Sequence, residues 1–145
     1  MGSIFSSQKS KEEREMALNK AKETASSAPV VVFRVQMALN KAKETASSAP
    51  VVVFSKTYCG YCKRVKDLFN QLSAAYKVIE LDEESDGADI QAALAEWTGQ
   101  KTVPNVFIAG KHIGGCDSVL AKHQAGQLTS LLTDAGAIAN NSAQL

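Results

Sequence analysis

The amino-acid sequence predicts an α/β fold, a four-stranded mixed sheet flanked by helices, with an extra segment at the N-terminus. Short apolar or alternating runs that are typical of strands take turns with runs whose apolar residues recur at helical spacing. The chain has 145 residues, of which 45% are hydrophobic and 21% charged. This length and composition are typical of a single globular domain. Helices on both faces of a sheet are a usual way to bury such strands.

A perfect repeat occupies the N-terminal part of the chain. The eighteen residues of Met16–Phe33, MALNKAKETASSAPVVVF, recur without change in Met37–Phe54. Two units are too few for a repeat architecture, which needs at least three, so a recent tandem duplication or a sequence artefact explains the repeat better. Each copy ends in an apolar run after a proline, as buried strands do. Only Val51–Phe54 leads directly into the cysteine motif described below, so we expect this copy to form the strand and the first copy to be surplus.

The segments after this strand alternate between helix and strand. Apolar residues at helical spacing predict three helices, 60–75, 87–97 and 117–133, the last with a break near residue 126. Alternation predicts a strand over 76–82, and a glycine between two short apolar runs predicts a hairpin of strands 105–109 and 111–113.

Charge and cysteine content exclude several classes of protein. Sixteen basic and 15 acidic residues give a net charge of +1, which leaves no electrostatic footprint for nucleic acid. The longest aliphatic runs are three valines, far short of the ~20 apolar residues of a membrane span. Three cysteines are too few for a disulfide scaffold and no signal-peptide core is present, so we expect a reducing, cytoplasmic location.

The motif with the most chemical content is Cys-Gly-Tyr-Cys at 59–62, between a predicted strand and a predicted helix. A thiol at a helix N-terminus faces free backbone N–H groups and the positive end of the helix dipole, which favour the thiolate. Basic residues nearby in the sequence strengthen this effect: Lys56, Lys63 and Arg64. Cys62 lies nearly one helical turn after Cys59 and can form a disulfide with it.

Two other interpretations of the cysteine pair stay open at this point. The two residues could be buried structural cysteines. They could also be half of a zinc site that Cys116 and either His112 or His123 complete.

Thr102-Val103-Pro104 opens the predicted strand NVFI. Because proline cannot donate to a sheet ladder, it belongs at the start of a strand, and this role alone would explain it. The alternative is a cis-proline that turns the Val103 backbone outward to pair with an extended, peptide-like ligand.

Gly114-Gly115-Cys116-Asp117 joins the last predicted strand to the last predicted helix. Asp117 suits an ordinary helix cap. The same helix N-terminus could also bind a carboxylate, and Asp117 could accept a hydrogen bond from an amine.

With the three motifs in this order, TYCGYC, TVPNVFI and GGCD, the chain resembles a glutaredoxin of the thioredoxin-like fold. The resemblance runs from about Ala49 to Ala137 and includes the preceding helix, and the subgroup most similar is the plant C-type dithiol glutaredoxins with the active site CGYC. It implies a glutathione-dependent thiol-disulfide oxidoreductase, an electron-transport protein whose partners are glutathione and glutathionylated or disulfide-bonded proteins. Cys59 and Cys62 would be the catalytic pair.

The resemblance also implies where glutathione would lie. Lys56 and Gln91 would meet its glycine carboxylate, with Tyr61 beside it. Val103, before Pro104, would pair with the cysteinyl backbone, and Thr102 would lie next to that contact. Cys116 and Asp117 would hold the γ-glutamyl end.

Gly60 stands where most dithiol glutaredoxins have proline, and glycine leaves the loop freer. Glutaredoxins with CGYC hold a [2Fe–2S] cluster between two chains, with the first active-site cysteine of each chain and two glutathione thiols as ligands. The resemblance therefore implies Cys59 as a cluster ligand, a homodimer when the cluster is bound and a monomer without it. The alternative to the enzyme is an iron–sulfur carrier or redox sensor whose functional state is this dimer.

The boundaries predicted from these patterns are an N-terminal extension over 1–36, helical or disordered, a glutaredoxin domain over 37–138 and a flexible tail over 139–145. The start of the chain, MGSIFS, fits the myristoylation pattern with Gly2 as acceptor, which would add peripheral membrane attachment. A cloning remnant or chance would explain the same six residues.

Overall fold

The computed structural model describes residues 29–139. The candidate acylation site at Gly2, most of the first repeat copy and the C-terminal tail from residue 140 lie outside the described residues. The chain divides into two compact units, Met1–Gln36 and Met37–Leu145. No helix among the described residues is long and apolar enough to cross a membrane.

In the first unit, the described residues 29–36 are helical. Val30, Val31, Val32 and Phe33 are each more than half exposed. Helix is one of the two states predicted for the N-terminal extension, although the same apolar run forms a strand in the second copy. A helix satisfies the backbone N–H and C=O groups within the segment, and a lone strand without a sheet partner does not.

The second unit begins with helix α1 over 37–46 and continues as a mixed α/β domain. Its four strands are β1 Val51–Ser55, β2 Lys77–Glu80, β3 Asn105–Ile108 and β4 Lys111–Gly114. The further helices are α2 Gly60–Gln71, α3 Gly87–Thr98, α4 Cys116–Gln124 and α5 Leu128–Asp134. The predicted fold class is confirmed.

The strands lie in the order β2-β1-β3-β4, with β1 parallel to β2 and antiparallel to β3, and β3 antiparallel to β4. All five residues of β1 are buried, which is typical of a central strand covered on both faces. The second copy of VVVF therefore occupies the middle of the sheet, and the prediction for Val51–Phe54 is confirmed.

Alternate residues of β1 feed two separate cores, because neighbouring side chains of a strand point to opposite faces. Val51 and Val53 pack with apolar residues of α2, α4 and α5. Val52 and Phe54 pack with residues of α1 and α3. The helices therefore cover both faces of the sheet, and α2, which carries the cysteine motif, lies on the same face as α4.

Several predicted elements are longer than the observed ones. The helix predicted over 60–75 ends at Gln71, and Ser73 just beyond it has a φ of 56° in the left-handed region. The strand predicted over 76–82 is limited to Lys77–Glu80. The break predicted near Gly126, which has a φ of 73°, separates two helices rather than bending one.

Candidate active site

Strand register brings the three sequence motifs to one edge of the sheet. Phe54 of β1 pairs with Asn105 of β3, so the segment after β1 lies beside the segment before β3. Val106 pairs with Gly114 of β4, which brings the start of α4 to the same edge. The cysteine motif, the proline loop and the GGCD turn are thus neighbours in space, although up to 58 positions separate them in the sequence.

Cys59 is the N-cap of α2, with an extended backbone. Its Sγ accepts a hydrogen bond from the Cys62 backbone N–H at 3.4 Å, and the thiol donates toward the Val103 carbonyl oxygen at 3.7 Å. The residue is half-buried. It therefore lies between a helix N-terminus and the proline loop, where a substrate sulfur can approach it.

The surroundings lower the pKa of the Cys59 thiol below its usual value. Burial opposes ionisation, but several interactions together outweigh it. These are the hydrogen bond with the Cys62 side chain, the backbone N–H groups of Cys62 and Tyr61, and the positive charge of Lys66. A lowered thiol pKa increases the fraction of nucleophilic thiolate at neutral pH.

Cys62 differs from Cys59 in both burial and ionisation. Its side chain is fully buried. Burial, followed by the hydrogen bond with Cys59, raises the pKa of Cys62 to about 11. Cys62 is therefore protonated at neutral pH and can donate to a Cys59 thiolate. The pair therefore consists of one reactive thiol and one buried, protonated thiol.

An open cleft of about 470 Å³ lies next to this cysteine pair. Six of the residues predicted to contact the ligand line it: Tyr61, Thr102, Val103, Pro104, Cys116 and Asp117. The Val103–Pro104 peptide bond is cis, as the second interpretation of that motif predicted. The cleft thus runs from the first turn of α2, past the proline loop, to the N-terminus of α4.

Two predicted ligand residues do not line the cleft. Gln91 on α3 donates through its side-chain nitrogen to the Lys101 carbonyl oxygen at 2.9 Å, so its amide supports the loop that leads to Pro104. Lys56 precedes the cysteine motif. The pKa of Asp82 is lowered chiefly by the hydrogen bond from the Thr57 hydroxyl, and the charge of Lys56 adds the smallest contribution.

The structure adds residues that the sequence analysis did not single out. Gln100 and Ser118 line the cleft. Lys66 is the cation that acts on Cys59, whereas we expected Lys56, Lys63 and Arg64. Lys66 also forms an ion pair with Glu80 of β2. A lysine two helical turns after the first cysteine is a weak signal in a sequence with sixteen basic residues.

Asp82 forms hydrogen bonds to the segment that leads to Cys59. Its carboxylate accepts a hydrogen bond from the Thr57 backbone N–H at 3.0 Å and another from the Thr57 hydroxyl. This contact ties the active-site segment to the turn after β2 and so helps to fix the position of the cysteine motif.

The alternative zinc site is not formed. Among residues 29–139, no three Cys, His, Asp or Glu side chains converge in a way that could hold a metal ion. His112 instead lies 5.3 Å from the Phe107 ring, measured between ring centroids. Cys116 is buried, and burial raises the pKa of its thiol.

A dithiol at a helix N-terminus, facing a cis-proline loop on a four-stranded mixed sheet, defines a thiol oxidoreductase of the thioredoxin-like fold. Comparison with known proteins identifies the family within this class. The family model described as Glutaredoxin matches residues 51–113. The chain is 57% identical to Glutaredoxin-C1 of Arabidopsis thaliana over 146 aligned positions that cover all of both chains.

Solved structures agree with this comparison. A buckwheat glutaredoxin–glutathione complex matches with a TM-score of 0.73 and 66% identity, covering 74% of this chain and 97% of the other. The holo form of glutaredoxin C1 from Populus tremula x tremuloides matches with a TM-score of 0.68 and 70% identity, covering 68% and 98%. The chain belongs to the glutaredoxin family, and its activity is that of a thiol oxidoreductase.

Proposed function

We propose that this protein removes glutathione from glutathionylated proteins and reduces protein disulfides, with glutathione as the electron donor. The observation that carries the proposal is the position of the Cys59 sulfur, 3.7 Å from the Val103 carbonyl at the edge of the cleft. A tripeptide extended along the cleft would bring its own sulfur to Cys59. The buckwheat relative was solved as a complex with glutathione, which supports this choice of ligand.

The cleft offers each part of glutathione a different kind of contact. The backbone of Val103 suits the backbone of an extended peptide, as in strand pairing. The first turn of α4, which carries Asp117, offers backbone N–H groups to a carboxylate and a side-chain carboxylate to an ammonium group. Lys56 and Gln91 lie outside the cleft lining, so their proposed contacts with the glycine carboxylate require a ligand that extends past Tyr61.

The proposed reaction is two successive thiol–disulfide exchanges. The Cys59 thiolate attacks the glutathione sulfur of the mixed disulfide; that disulfide breaks, a Cys59–glutathione disulfide forms, and the substrate thiolate leaves and takes up a proton. The thiolate of a second glutathione then attacks the glutathione sulfur on Cys59. Glutathione disulfide is released and the Cys59 thiolate is regenerated. For protein disulfides, Cys62 would resolve the mixed disulfide instead.

The test compares Cys59→Ser with Cys62→Ser. We expect Cys59→Ser to abolish the removal of glutathione from a glutathionylated peptide, because only Cys59 carries the reactive thiolate. Cys62→Ser should retain a substantial part of this activity, because glutathione itself resolves the intermediate. Equal loss in Cys59→Ser and Cys62→Ser would contradict the single-thiol step.

A second proposed function is the binding of a [2Fe–2S] cluster by a dimer in which glutathione supplies the remaining ligands. Cys59 is partly exposed and has a lowered pKa, whereas Cys62 and Cys116 are buried and have raised pKa values. One chain therefore offers one ready thiolate, so the residues fit a cluster only if it is shared with a second chain and completed by external thiols. The cluster would supply iron–sulfur redox chemistry. The Populus relative described as a holo form supports this proposal.

Gly60 provides the test of the cluster proposal. It is the first residue of α2, and a Cβ added there would meet nothing within 4 Å. Gly60→Pro locks φ and removes the backbone N–H, whereas Gly60→Ala keeps the N–H and restricts φ much less. We expect reconstitution with iron, sulfide and glutathione to give a brown dimer for the wild type and Gly60→Ala, and a colourless monomer for Gly60→Pro. Thiol exchange should remain within about tenfold in both variants, since neither touches a sulfur. A brown, dimeric Gly60→Pro protein would contradict the role of the loop.

The cytoplasmic location and acylation at Gly2 remain proposals that rest on sequence patterns. Intact-mass measurement of the protein from eukaryotic cells would detect a myristoyl group. Cell fractionation of wild type and Gly2→Ala would show whether that group directs attachment to membranes.

A further inference from the structure

Gln100 makes two hydrogen bonds that bridge the proline loop. Its Nε2 donates to the Pro104 carbonyl oxygen at 2.8 Å and to the Thr102 carbonyl oxygen at 3.0 Å. Because both partners are acceptors, the nitrogen and oxygen of this amide cannot exchange places. One NH₂ group therefore fixes the carbonyls on either side of Val103, and the Val103 carbonyl faces Cys59 instead.

Gln100 is itself held at the end of α3. Its backbone N–H donates to the Thr98 hydroxyl oxygen at 3.2 Å, and that hydroxyl donates to the Leu94 carbonyl at 2.7 Å. Asn105, the first residue of β3, donates to the same hydroxyl oxygen at 3.4 Å. The Thr98 hydroxyl thus links the backbone of Gln100 to the end of α3 and to the first residue of β3.

The amide of Gln100 also lies against the GGCD turn. A Cβ added at Gly115 would lie 3.5 Å from Gln100 Nε2 and 3.5 Å from the Pro104 carbonyl oxygen. Gln100 therefore hydrogen-bonds to one wall of the cleft, the proline loop, lies beside the turn that begins α4, and lines the cleft itself.

We propose that Gln100 is a positioning residue of the exchange site: by holding the Thr102 and Pro104 carbonyls, it presents the Val103 backbone to the tripeptide half of the substrate. This inference rests on the glutathione dependence proposed above. Gln100 touches neither reacting sulfur, so it acts through the loop.

The consequence is a change in substrate binding without a change in thiol reactivity. Gln100→Met keeps the length of the side chain and removes both donors. Gln100→Glu keeps its shape and places a carboxylate against two carbonyl oxygens. We expect either variant to raise the KM for a glutathionylated peptide about tenfold, equivalent to about 1.4 kcal/mol. We expect kcat to stay within about twofold, because binding remote from the sulfur is mostly uniform binding.

The experiment measures three quantities in the wild type, in both Gln100 variants and in the matched controls Gln124→Met and Gln124→Glu, which change an exposed glutamine of α4. These quantities are KM and kcat for the peptide, the rate of Cys59 alkylation by iodoacetamide as a function of pH, and amide hydrogen exchange at Thr102 and Val103. We expect higher KM and faster loop exchange in the Gln100 variants, unchanged alkylation, and no change in the controls.

An unchanged KM together with unchanged loop exchange would overturn the proposal. A fall in kcat and alkylation rate without a change in KM would also overturn it, because Gln100 would then act on the sulfur. If the wild type does not prefer the glutathionylated peptide to a disulfide without glutathione, the proposed function fails. Loop exchange then decides alone whether Gln100 positions the loop.

Discussion

The two cysteines of the active-site motif are three positions apart and have opposite ionisation properties. Cys59 caps a helix and receives N–H hydrogen bonds, and its pKa is lowered. Cys62 lies one turn inside the same helix, where burial raises its pKa to about 11. The difference in reactivity between the two thiols therefore follows from helix geometry and burial.

The first prediction concerns the pH dependence of alkylation. A thiol reacts as the thiolate, so the rate at Cys59 should rise with pH and reach half its maximum at a lower pH than that of an unperturbed cysteine thiol. Cys62 should stay unreactive until the pH approaches about 11. Peptide mapping after timed iodoacetamide treatment of the reduced protein measures both rates. Faster alkylation of Cys62 at neutral pH would contradict this assignment.

The second prediction concerns the cation that acts on Cys59. Lys66→Met removes a positive charge that lowers the pKa of Cys59, so the alkylation midpoint should move to higher pH. Lys63→Met removes an exposed charge closer in sequence and serves as the matched control, with a smaller shift expected. A larger shift in Lys63→Met would contradict the role of Lys66 and support the sequence-based expectation that Lys63 acts on Cys59.

The residue types in the motifs were enough to predict most of the cleft lining, whereas the contacts that form only on folding could not be predicted from them. The motifs led to six of the residues that line the cleft. Lys66 and Gln100 were missed because their roles depend on where the second turn of α2 and the end of α3 pack. Gln91, which we expected to contact the ligand, donates to the Lys101 carbonyl oxygen and lies outside the cleft lining.

At the scale of elements, one short sequence forms two structures in the same chain. Pro-Val-Val-Val-Phe is helical at 29–33, whereas at 50–54 its four apolar residues form most of β1. Its local propensities are identical in the two places, so tertiary context decides: β1 has strand partners on both sides. The sequence pattern identified the copy that forms the strand by its connection to Cys59, whereas for the other copy it left helix and disorder open.

The third prediction compares two glycines that each begin a helix. A Cβ at Gly87, the first residue of α3, would lie 1.7 Å from the Leu81 carbonyl oxygen, whereas a Cβ at Gly60 meets nothing within 4 Å. Gly87→Ala should therefore lower the free energy of unfolding by about 1–3 kcal/mol, as overpacking does. Gly60→Ala should be neutral or stabilise by up to about 1 kcal/mol. Urea unfolding measures the free energy of unfolding of both variants. Equal values would contradict the prediction, because they would mean that the backbone near Leu81 moves to accommodate the new Cβ without loss of stability.

At the scale of the whole molecule, a single sheet position is available for two identical strands. If the first copy filled it, about 21 extra residues would separate the strand from the active-site helix, and loops longer than ~12–15 residues are uncommon in compact domains. The second copy continues directly into the segment braced by Asp82. Connectivity therefore selects the copy that leads directly to Cys59.

The fourth prediction is that residues 1–36 are dispensable. A chain of residues 37–145 keeps α1, whose Ala38, Ala42 and Ala46 are buried in the core, and should retain activity within about twofold, since every buried core residue found among residues 29–139 is kept. The matched control, residues 50–145, loses these three alanines and should unfold at a lower temperature. Loss of activity in the 37–145 chain would show that the first repeat copy belongs to the functional domain.

The most direct test of the central claim is the mass of the intermediate formed on Cys59. Cys62→Ser protein is mixed with a glutathionylated peptide in the absence of free glutathione, then quenched with acid and measured intact and after peptide mapping. The account predicts one glutathione in disulfide linkage to Cys59 and release of the reduced peptide, because we propose that the cleft lined by Val103, Cys116 and Asp117 binds the glutathione half. Attachment of the peptide itself to Cys59, with release of free glutathione, would contradict it.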